Sequence, residues 1–585
     1  MSRPRIYDEN HFRLSTYTNK AGKTYIYGYR NEWNKEKKQS RVVKRQYVGT
    51  FDPETGRAKL GPKFLSAHPE YAGKDLYYEN NELVERDASE LEEINERQED
   101  IFSDDLSVGA TWACWETAKQ HGIYSDLCDT FGKADGSNLL RLGIYQYLVG
   151  NAMAGFEEWI PDVYVPGAEE LNGRRISELL SRVDHNKMKA FFKRRHERRQ
   201  KIYDQMDAKN IKQGLPVQPR FLAIDSTGIS TYSTTIEQAA YGHAKQNPEL
   251  KQVNLTLGVD YLSGDVCYAY ESEGSINDKA LYPHILKDMQ VNGFDLTKTT
   301  LVTDRGYESL YNIQRLLNLD LQYVAGVPLV EKGIVDQLKK YHSSLASIAF
   351  YNGNLGVSAR TVKEHWHVDT DCGSFLKDTD LHLYKCQDRV GLEQKELLKK
   401  IEDIIVAKNE GKLIDPLDWK QVSKYISKAK DGKWEKNIDA LLEWHKIAGC
   451  FAIRSNCIND PFEALMVYRK RGIVEMAFRQ FKVLNSGAGL YATESTYVGK
   501  LMVHLIAQSL RMIHLITAQN NQKGKLQIPG NSMDMAMAIL RRVRACRPAG
   551  RKNWITGEIP KKARDVFELL GISLPPLKFT SIPSY

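Results

Sequence analysis

The sequence contains no Cys-x-x-Cys pair. Its eight cysteines (Cys114, Cys128, Cys267, Cys372, Cys386, Cys450, Cys457 and Cys546) are scattered singly. That excludes a zinc module or a disulfide framework and fits free thiols in a reducing cytosol. Low-complexity tracts and internal repeats are absent, leaving a globular composition of 42% hydrophobic and 27% charged residues. The opening residues, MSRPRIYDENHFR, lack the apolar core of a secretion signal. The most apolar segment, LMVHLIAQSLRMIHLI from Leu501, is interrupted by His504, Gln508, Arg511 and His514. It therefore reads as a buried helix with no role in a membrane. A strong excess of one charge sign is also missing: the net charge is +8 and the pI near 8.7. Local clusters of cations are more informative than this total, and nucleic acid is their natural partner.

A chain of 585 residues has room for about two to four domains. Residues 1–65 alternate as strands do (YIYGYRNEW, SRVVKRQYVGTF) and carry Lys20, Lys23, Arg30, Lys35, Lys37, Lys38, Arg41, Lys44 and Arg45. A basic β-hairpin module is expected there, followed over 66–105 by an acidic linker, ELVERDASELEEINERQED. Residues 106–212 have helical periodicity and end in a strongly basic helix, ISELLSRVDHNKMKAFFKRRHERRQKIYDQM. A DNA-binding region is expected here, although a plain surface helix has the same composition.

From residue 213 to 334 the pattern turns to short apolar strands. FLAI runs into Asp225, QVNLTLGVDYLSGDVCYAYES reads as a hairpin, and TTLVT runs into Asp304 before a glycine turn and a helix. Residues 335–445 break the pattern and are read as a β-rich insertion containing Trp366, Trp419, Trp434 and Trp444. Strand character returns at CFAIRSN, so 446–520 resume the interrupted sheet, and 521–585 form a C-terminal tail. The expected class is α/β, with a mixed sheet flanked by helices.

The helix that follows CFAIRSN, VYRKRGIVEMAFRQFKV at 467–483, is dense in cations yet holds one carboxylate, Glu475. At about 100° per residue, Tyr468, Arg471, Glu475, Arg479 and Lys482 share one stripe, opposite Ile473, Ala477 and Phe481. A solvated face of helical ion pairs gives the same pattern. A carboxylate beside a metal ion, with cations reaching for phosphates, accounts for it more fully. Asp225 and Asp304, each at the end of an apolar strand, are the partner acids. Three convergent carboxylates raise one another's pKa values unless a cation neutralises them. Hard divalent ions with oxygen ligands do so, and a pair of them about 4 Å apart suits in-line phosphoryl transfer.

The array strand-Asp, hairpin, strand-Asp, insertion, strand and Glu-bearing helix resembles a DDE transposase of the IS4 superfamily, and the basic N-terminal module makes it most similar to the IS1634 group. The signature Tyr, two residues, Arg, three residues, Glu, six residues, Lys is met at Tyr468, Arg471, Glu475 and Lys482. The resemblance covers roughly residues 215–335 and 445–515. The 171 residues that separate Asp304 from Glu475 resemble this superfamily's long β-rich insertion.

The resemblance implies an RNase H-like core and cut-and-paste transposition, with two Mg2+ ions (Mn2+ as a substitute) held by Asp225, Asp304 and Glu475. It also implies that Tyr468, Arg471 and Lys482, with Arg479 beside them, grip phosphates of double-stranded DNA, both transposon ends and target. A homodimer on paired ends in the bacterial cytosol or nucleoid is expected, and one of the four insertion tryptophans is expected to stack on a flipped base. Asp278 in EGSINDK reads as a helix cap or a residue behind the acids. His365 and His367 read as exposed strand positions and not as a metal site. Two other functions fit the residues: a transposase-derived DNA-binding protein that no longer cuts, and a structure-specific RNase H-like nuclease.

Overall fold

The computed structural model describes residues 13–579 except 20–22, 35–38, 53–55, 80, 86–101, 151, 167–170, 243–248, 331, 371–372, 485–489, 491 and 549–552. Lys20, Lys35, Lys37, Lys38, most of the acidic segment and Cys372 lie outside the described residues. The other seven cysteines are free thiols, as expected.

The chain forms two units, one of residues 1–104 with 548–551 and one of 105–547 with 552–585. The first is a six-stranded antiparallel sheet in chain order: β1 (Arg13–Thr18), β2 (Thr24–Asn34), β3 (Gln39–Phe51), β4 (Arg57–Leu60), β5 (Leu76–Glu79) and β6 (Glu82–Glu85). Ile26, Val48, Ala58, Phe64 and Leu76 make its core, with Phe64 supplied by the short helix α1 (Pro62–Ala67). The module is thus larger than the expected hairpin and continues to Glu85, into the stretch read as linker. The acids of LYYE and ELVE sit on strands whose alternate apolar residues pack inward, so acidic composition concealed β pairing.

The second unit begins with β7 (Phe102–Ser107), α2 (Gly109–Gln120), α3 (Lys133–Val149) and the 28-residue α4 (His185–Lys212). Its frame is a nine-stranded sheet. Five strands come first: β8 (Arg220–Ser230), β9 (Gln252–Asp260), β10 (Val266–Glu273), β11 (Thr299–Thr303) and β12 (Gln322–Val327). Helices α5 (Asp278–Val291) and α6 (Leu310–Asn318) follow β10 and β11. The order is β10-β9-β8-β11-β12, with β8–β10 an antiparallel meander and β11 and β12 parallel to β8. Every residue of β9 and β11 is buried, the pattern of strands covered on both faces.

The segment read as an insertion divides in two. Strands β13 (Tyr351–Asn352), β14 (Val357–Thr370) and β15 (Gly373–Lys385) join the main sheet, because β15 pairs with β18 (Cys450–Ser455), which pairs with β12. The intervening residues form a lobe of α7 (Gln387–Asn409) and the ribbon β16–β17 (Ile426–Lys428, Trp434–Lys436), with its own core of Ile401, Ile404, Val422, Tyr425 and Ile426.

After β18 come α8 (Pro461–Arg469), α9 (Gly472–Arg479) and α10 (Glu494–Asn521). Among the described residues α10 is the one helix long and apolar enough to cross a membrane, and it is largely enclosed by the protein. His514 on α10 bonds the Thr117 and Tyr147 hydroxyls at 2.8 and 3.1 Å. The tail packs on this body: α11 (Lys561–Leu570) lies against α10, and β19–β21 (Arg544–Pro548, Trp554–Thr556, Lys578–Phe579) form a four-stranded sheet with β7.

Three arginines in the basic half of α4 pair with acids of the protein itself. Arg195 is buried between Asp126 and Asp265, Arg199 reaches Asp260 at 2.9 Å, and Arg198 reaches Asp126 at 2.6 Å. These arginines satisfy acids of the β9–β10 turn and Asp126 of the segment between α2 and α3. A linear sequence shows the cations without the partners that fold back on them.

Glu271 on β10 is enclosed near His185 and Tyr497; burial raises its carboxyl to about 7, opposed by the Tyr497 hydroxyl. That value lies above the ordinary 4.5, so the folded state retains a proton that the unfolded state releases. The associated stability is complete below about pH 4.5 and is lost as pH rises through about 7, by roughly 3 kcal/mol. Glu271→Gln should remove this loss. Denaturation midpoints at pH 5 and pH 8 should therefore differ less in the variant than in the wild type.

Candidate active site

Sheet register brings the two aspartates together. β11 lies parallel to β8 with Thr303 opposite Ile224, so Asp304 and Asp225, the next residues, emerge side by side where that pairing stops; β11 ends there, whereas β8, expected to end at Asp225, continues to Ser230 along β9. Asp225 Oδ1 accepts the Ser226 amide at 2.9 Å. The Ser226 hydroxyl bonds Thr256 Oγ1 at 2.8 Å and also the buried Tyr307 hydroxyl, which fixes this point of the strand from below.

The expected single helix is broken. Arg469 ends α8, Gly472 begins α9, and a π-type turn, Gln480–Leu484, follows. Between the helices the amides of Ile473 and Val474 bond the carbonyls of Lys470 and Arg471, three residues back, a tightened turn that sets Arg471 at a corner. From there its guanidinium reaches all three acids: Glu475 Oε1 at 2.5 Å, Asp225 Oδ2 at 3.6 Å and Asp304 Oδ1 at 3.9 Å. Tyr468, at the end of α8, donates its hydroxyl to Asp304 Oδ1 at 3.0 Å. Arg479 is exposed one turn beyond Glu475, without a described contact to the acids, and Lys482 is half-buried in the π turn. The kink thus gathers Tyr468, Arg471 and Glu475 beside the two aspartates and places Arg479 and Lys482 farther along the path of the chain.

Two residues that sequence patterns did not single out shape this cluster. Gly326 lies on β12, where Ala325 is paired with Thr303. A Cβ there would stand 2.5 Å from the Tyr468 hydroxyl and 3.1 Å from the Arg305 amide, so only glycine lets Tyr468 reach Asp304. Tyr307, conspicuous only as the third residue after Asp304, braces Ser226. Asp278 proves not to be a cap: Asn277 caps α5, accepting the Ala280 amide. The Asp278 carboxylate lies against Gly306, where a Cβ would come within 2.9 Å of Oδ2.

The electrostatics follow from this crowding. Burial raises the Asp225 carboxyl to about 6; Asp304 and Asp278 add to the rise, while the Ser226 amide and Arg471 oppose it. Burial and the adjacent Asp304 also raise the Tyr468 phenol, so it stays protonated and able to donate. Burial works against the Arg471 charge, but Asp304, Tyr468, Glu475 and Asp225 outweigh it and hold the guanidinium above its ordinary value.

Among the described residues no three His, Cys, Asp or Glu side chains close into a ready metal cage. Arg471 fills the space between the acids instead. The donors nevertheless fit a divalent ion. All are hard carboxylate oxygens converging on one cation, and the repulsion that Asp304 and Asp278 add to the burial of Asp225 is one that further cations would relieve.

A cavity of about 1060 Å3 opens beside the acids, lined by Asp304, Tyr468 and Arg471 and also by Trp444, Phe451 and Arg389. Of the four insertion tryptophans, Trp444 lines it. Trp366 donates to Thr379 Oγ1 at 2.8 Å, and Trp419 and Trp434 pack edge to face in the α7 lobe. His365, exposed on β14, pairs with Asp378 at 2.7 Å, as its strand position suggested.

Residues 216–510, just over half of the chain, match the family model described as "Transposase DDE domain". Among solved structures the chain is similar to the piggyBac transposase in its synaptic complex with hairpin DNA, at 13% identity and a TM-score of 0.30. That likeness covers 55% of this chain and 51% of the other, so the chain spans about half the length of that neighbour. No protein of curated function matches.

Proposed function

Because the chain belongs to the transposase DDE-domain family, we propose that it is a DNA transposase that cleaves the ends of an insertion sequence and joins them to target DNA by a cut-and-paste route. We place it in the IS4 superfamily, nearest the IS1634 group, on the signature Tyr468, Arg471, Glu475 and Lys482. Strand order β10-β9-β8-β11-β12, an antiparallel meander extended by two parallel strands, supports an RNase H-like core. One observation carries the reading: a single guanidinium within 3.9 Å of Asp225, Asp304 and Glu475, which are drawn from the middle of one strand, the end of its neighbour and a helix.

In this reading Asp225, Asp304 and Glu475 hold two Mg2+ ions, which Mn2+ can replace. Bound there, such ions supply Lewis acidity for in-line displacement at a phosphodiester. The oxygen of water attacks phosphorus and the P–O3′ bond breaks. The freed 3′-hydroxyl then attacks a target phosphodiester, forming one P–O bond for each one broken. Arg471 exchanges its carboxylates for DNA phosphate oxygens, which a planar guanidinium binds well. Tyr468, kept protonated, donates to the same backbone, with Arg479 and Lys482 farther along it. Trp444, which lines the cavity with Asp304, is the insertion tryptophan best placed to receive an unpaired base. The protein acts as a homodimer on paired ends in the bacterial cytosol.

The test supplies pre-cleaved element ends and a plasmid target with Mg2+. Joined product is expected, and EDTA should abolish it. Nicking of supercoiled plasmid with no joining would point to a nuclease, and binding without either reaction to a DNA-binding descendant.

A further inference from the structure

We propose that the solvent face of β1–β3 binds duplex DNA, with the β2–β3 ribbon seated in a major groove. The inference rests on the reading that the protein acts on DNA, and concerns a surface of the N-terminal unit. Charge locates it first. Residues 1–52 hold twelve Lys and Arg against five Asp and Glu, a net +7 out of the chain's +8, so the other 533 residues are almost neutral. Such a concentration of cations in one short stretch of sequence is the footprint of a polyanion site, and Arg13, Arg30, Lys44 and Arg45 of it lie on β1–β3.

Register then identifies the face. Ile26 and Val48 point into the core of this unit. The alternate positions, Tyr25, Tyr27 and Tyr29 on β2, lie beside Tyr17, Ser15 and Arg13 on β1. On the other side Tyr27 is paired with Tyr47 and Tyr29 with Arg45, both on β3. The water side of an antiparallel sheet is ordinarily polar, yet this one presents five tyrosines, with Tyr17 56% and Tyr47 43% exposed.

The arrangement of the rings favours a duplex over unpaired bases. Tyr47 packs at an angle against Tyr25 and Tyr27, with centroids 6.2 and 5.8 Å apart, and the Arg45 guanidinium covers the Tyr27 ring at 4.1 Å. Ring planes are thus largely engaged within the protein. Tyr17, Tyr47, Arg13 and Arg45 are exposed on this face, and phenols and guanidinium groups bind phosphates and base edges. Strands about 5 Å apart and 11 to 13 residues long make a ribbon that a major groove about 12 Å wide accepts. Two bulges, at Ile26/Tyr27 and Arg30/Asn31, strengthen its twist.

The experiment measures binding of the full-length protein, without divalent metal, to a fluorescein-labelled random-sequence 40-bp duplex and to the matching single strand from 50 to 300 mM KCl. Wild type should prefer the duplex. Arg45→Ala should weaken duplex binding about ten-fold and lower the slope of log affinity against log salt by about 0.9; Tyr17→Ser should weaken binding several-fold. Far-UV circular dichroism confirms folding, and if Arg45→Ala is misfolded, Tyr17→Ser, an exposed substitution, carries the test. Unchanged duplex affinity in folded variants overturns the proposal. So does tighter binding of the single strand by wild type, which would mean base stacking. A protein that binds duplex through this face but neither nicks nor joins DNA would overturn the proposed function and leave this inference standing.

Discussion

Glu475→Gln is expected to lower both plasmid nicking and end joining on the order of a thousand-fold or more, with DNA affinity close to wild type. Glutamine keeps the shape of glutamate and loses its charge. The ligand set for divalent ions then falls from three carboxylates to two, and a loss of this size corresponds to about 4 kcal/mol of transition-state stabilisation. Binding should persist because Arg471 loses an acid 2.5 Å away and becomes more available to phosphate. Asp225→Asn and Asp304→Asn should behave alike, since Arg471 marks all three as one cluster. Anisotropy for binding and gel assays for both reactions separate the two effects. Nicking by Glu475→Gln within ten-fold of wild type would remove that residue from the site.

The largest expected loss of stability comes from Arg454→Met. Arg454, on β18, is 1% exposed and meets Glu308, itself fully buried. It also meets Glu364 of β14, with Nε 2.7 Å from Oε2 and Nη2 3.1 Å from Oε1. The Thr379 hydroxyl completes the set, donating to Glu364 at 3.0 Å. Methionine fills much of the volume but leaves Glu308 without a counter-charge, a change that costs about 3–5 kcal/mol. Adding Glu308→Gln should restore most of it, because the penalty is an unpaired charge and not a lost methylene contact. Urea denaturation of the two variants reads this directly. Equal destabilisation in single and double variants would show that packing, and not charge, dominates at this point.

Some of this organisation was legible in the sequence because it is local. FLAI before Asp225 and TLVT before Asp304 announce neighbouring buried strands that deliver the acids, although β8 runs on to Ser230 past the expected end, and the spacing of Tyr468, Arg471 and Glu475 survives in three dimensions as a cluster. Other features were hidden because they depend on partners distant in sequence. A helical wheel assumes a continuous axis and cannot foresee the corner at Arg471. Gly326 reads as an ordinary strand glycine until Tyr468 arrives over it. Cations in KRRHERRQK look solvent-facing until Asp126, Asp260 and Asp265 fold against them. Strands β14 and β15 were assigned outside the sheet because their pairing with β18 joins residues 380–385 to 450–455 across a long excursion.

That same pairing has a practical corollary. Lys385 and Cys450 face each other as the last pair of β15 and β18, and the Cys386 amide bonds the Gly449 carbonyl. Everything between them hangs from what is topologically a hairpin bend, so a two-residue linker could replace the entire lobe without breaking a rung of the sheet. Such a trimmed protein would keep its three acids but lose Trp444 and Arg389 from the cavity wall. Lobes of other sizes could be exchanged at the same point without disturbing the strands that carry Asp225 and Asp304.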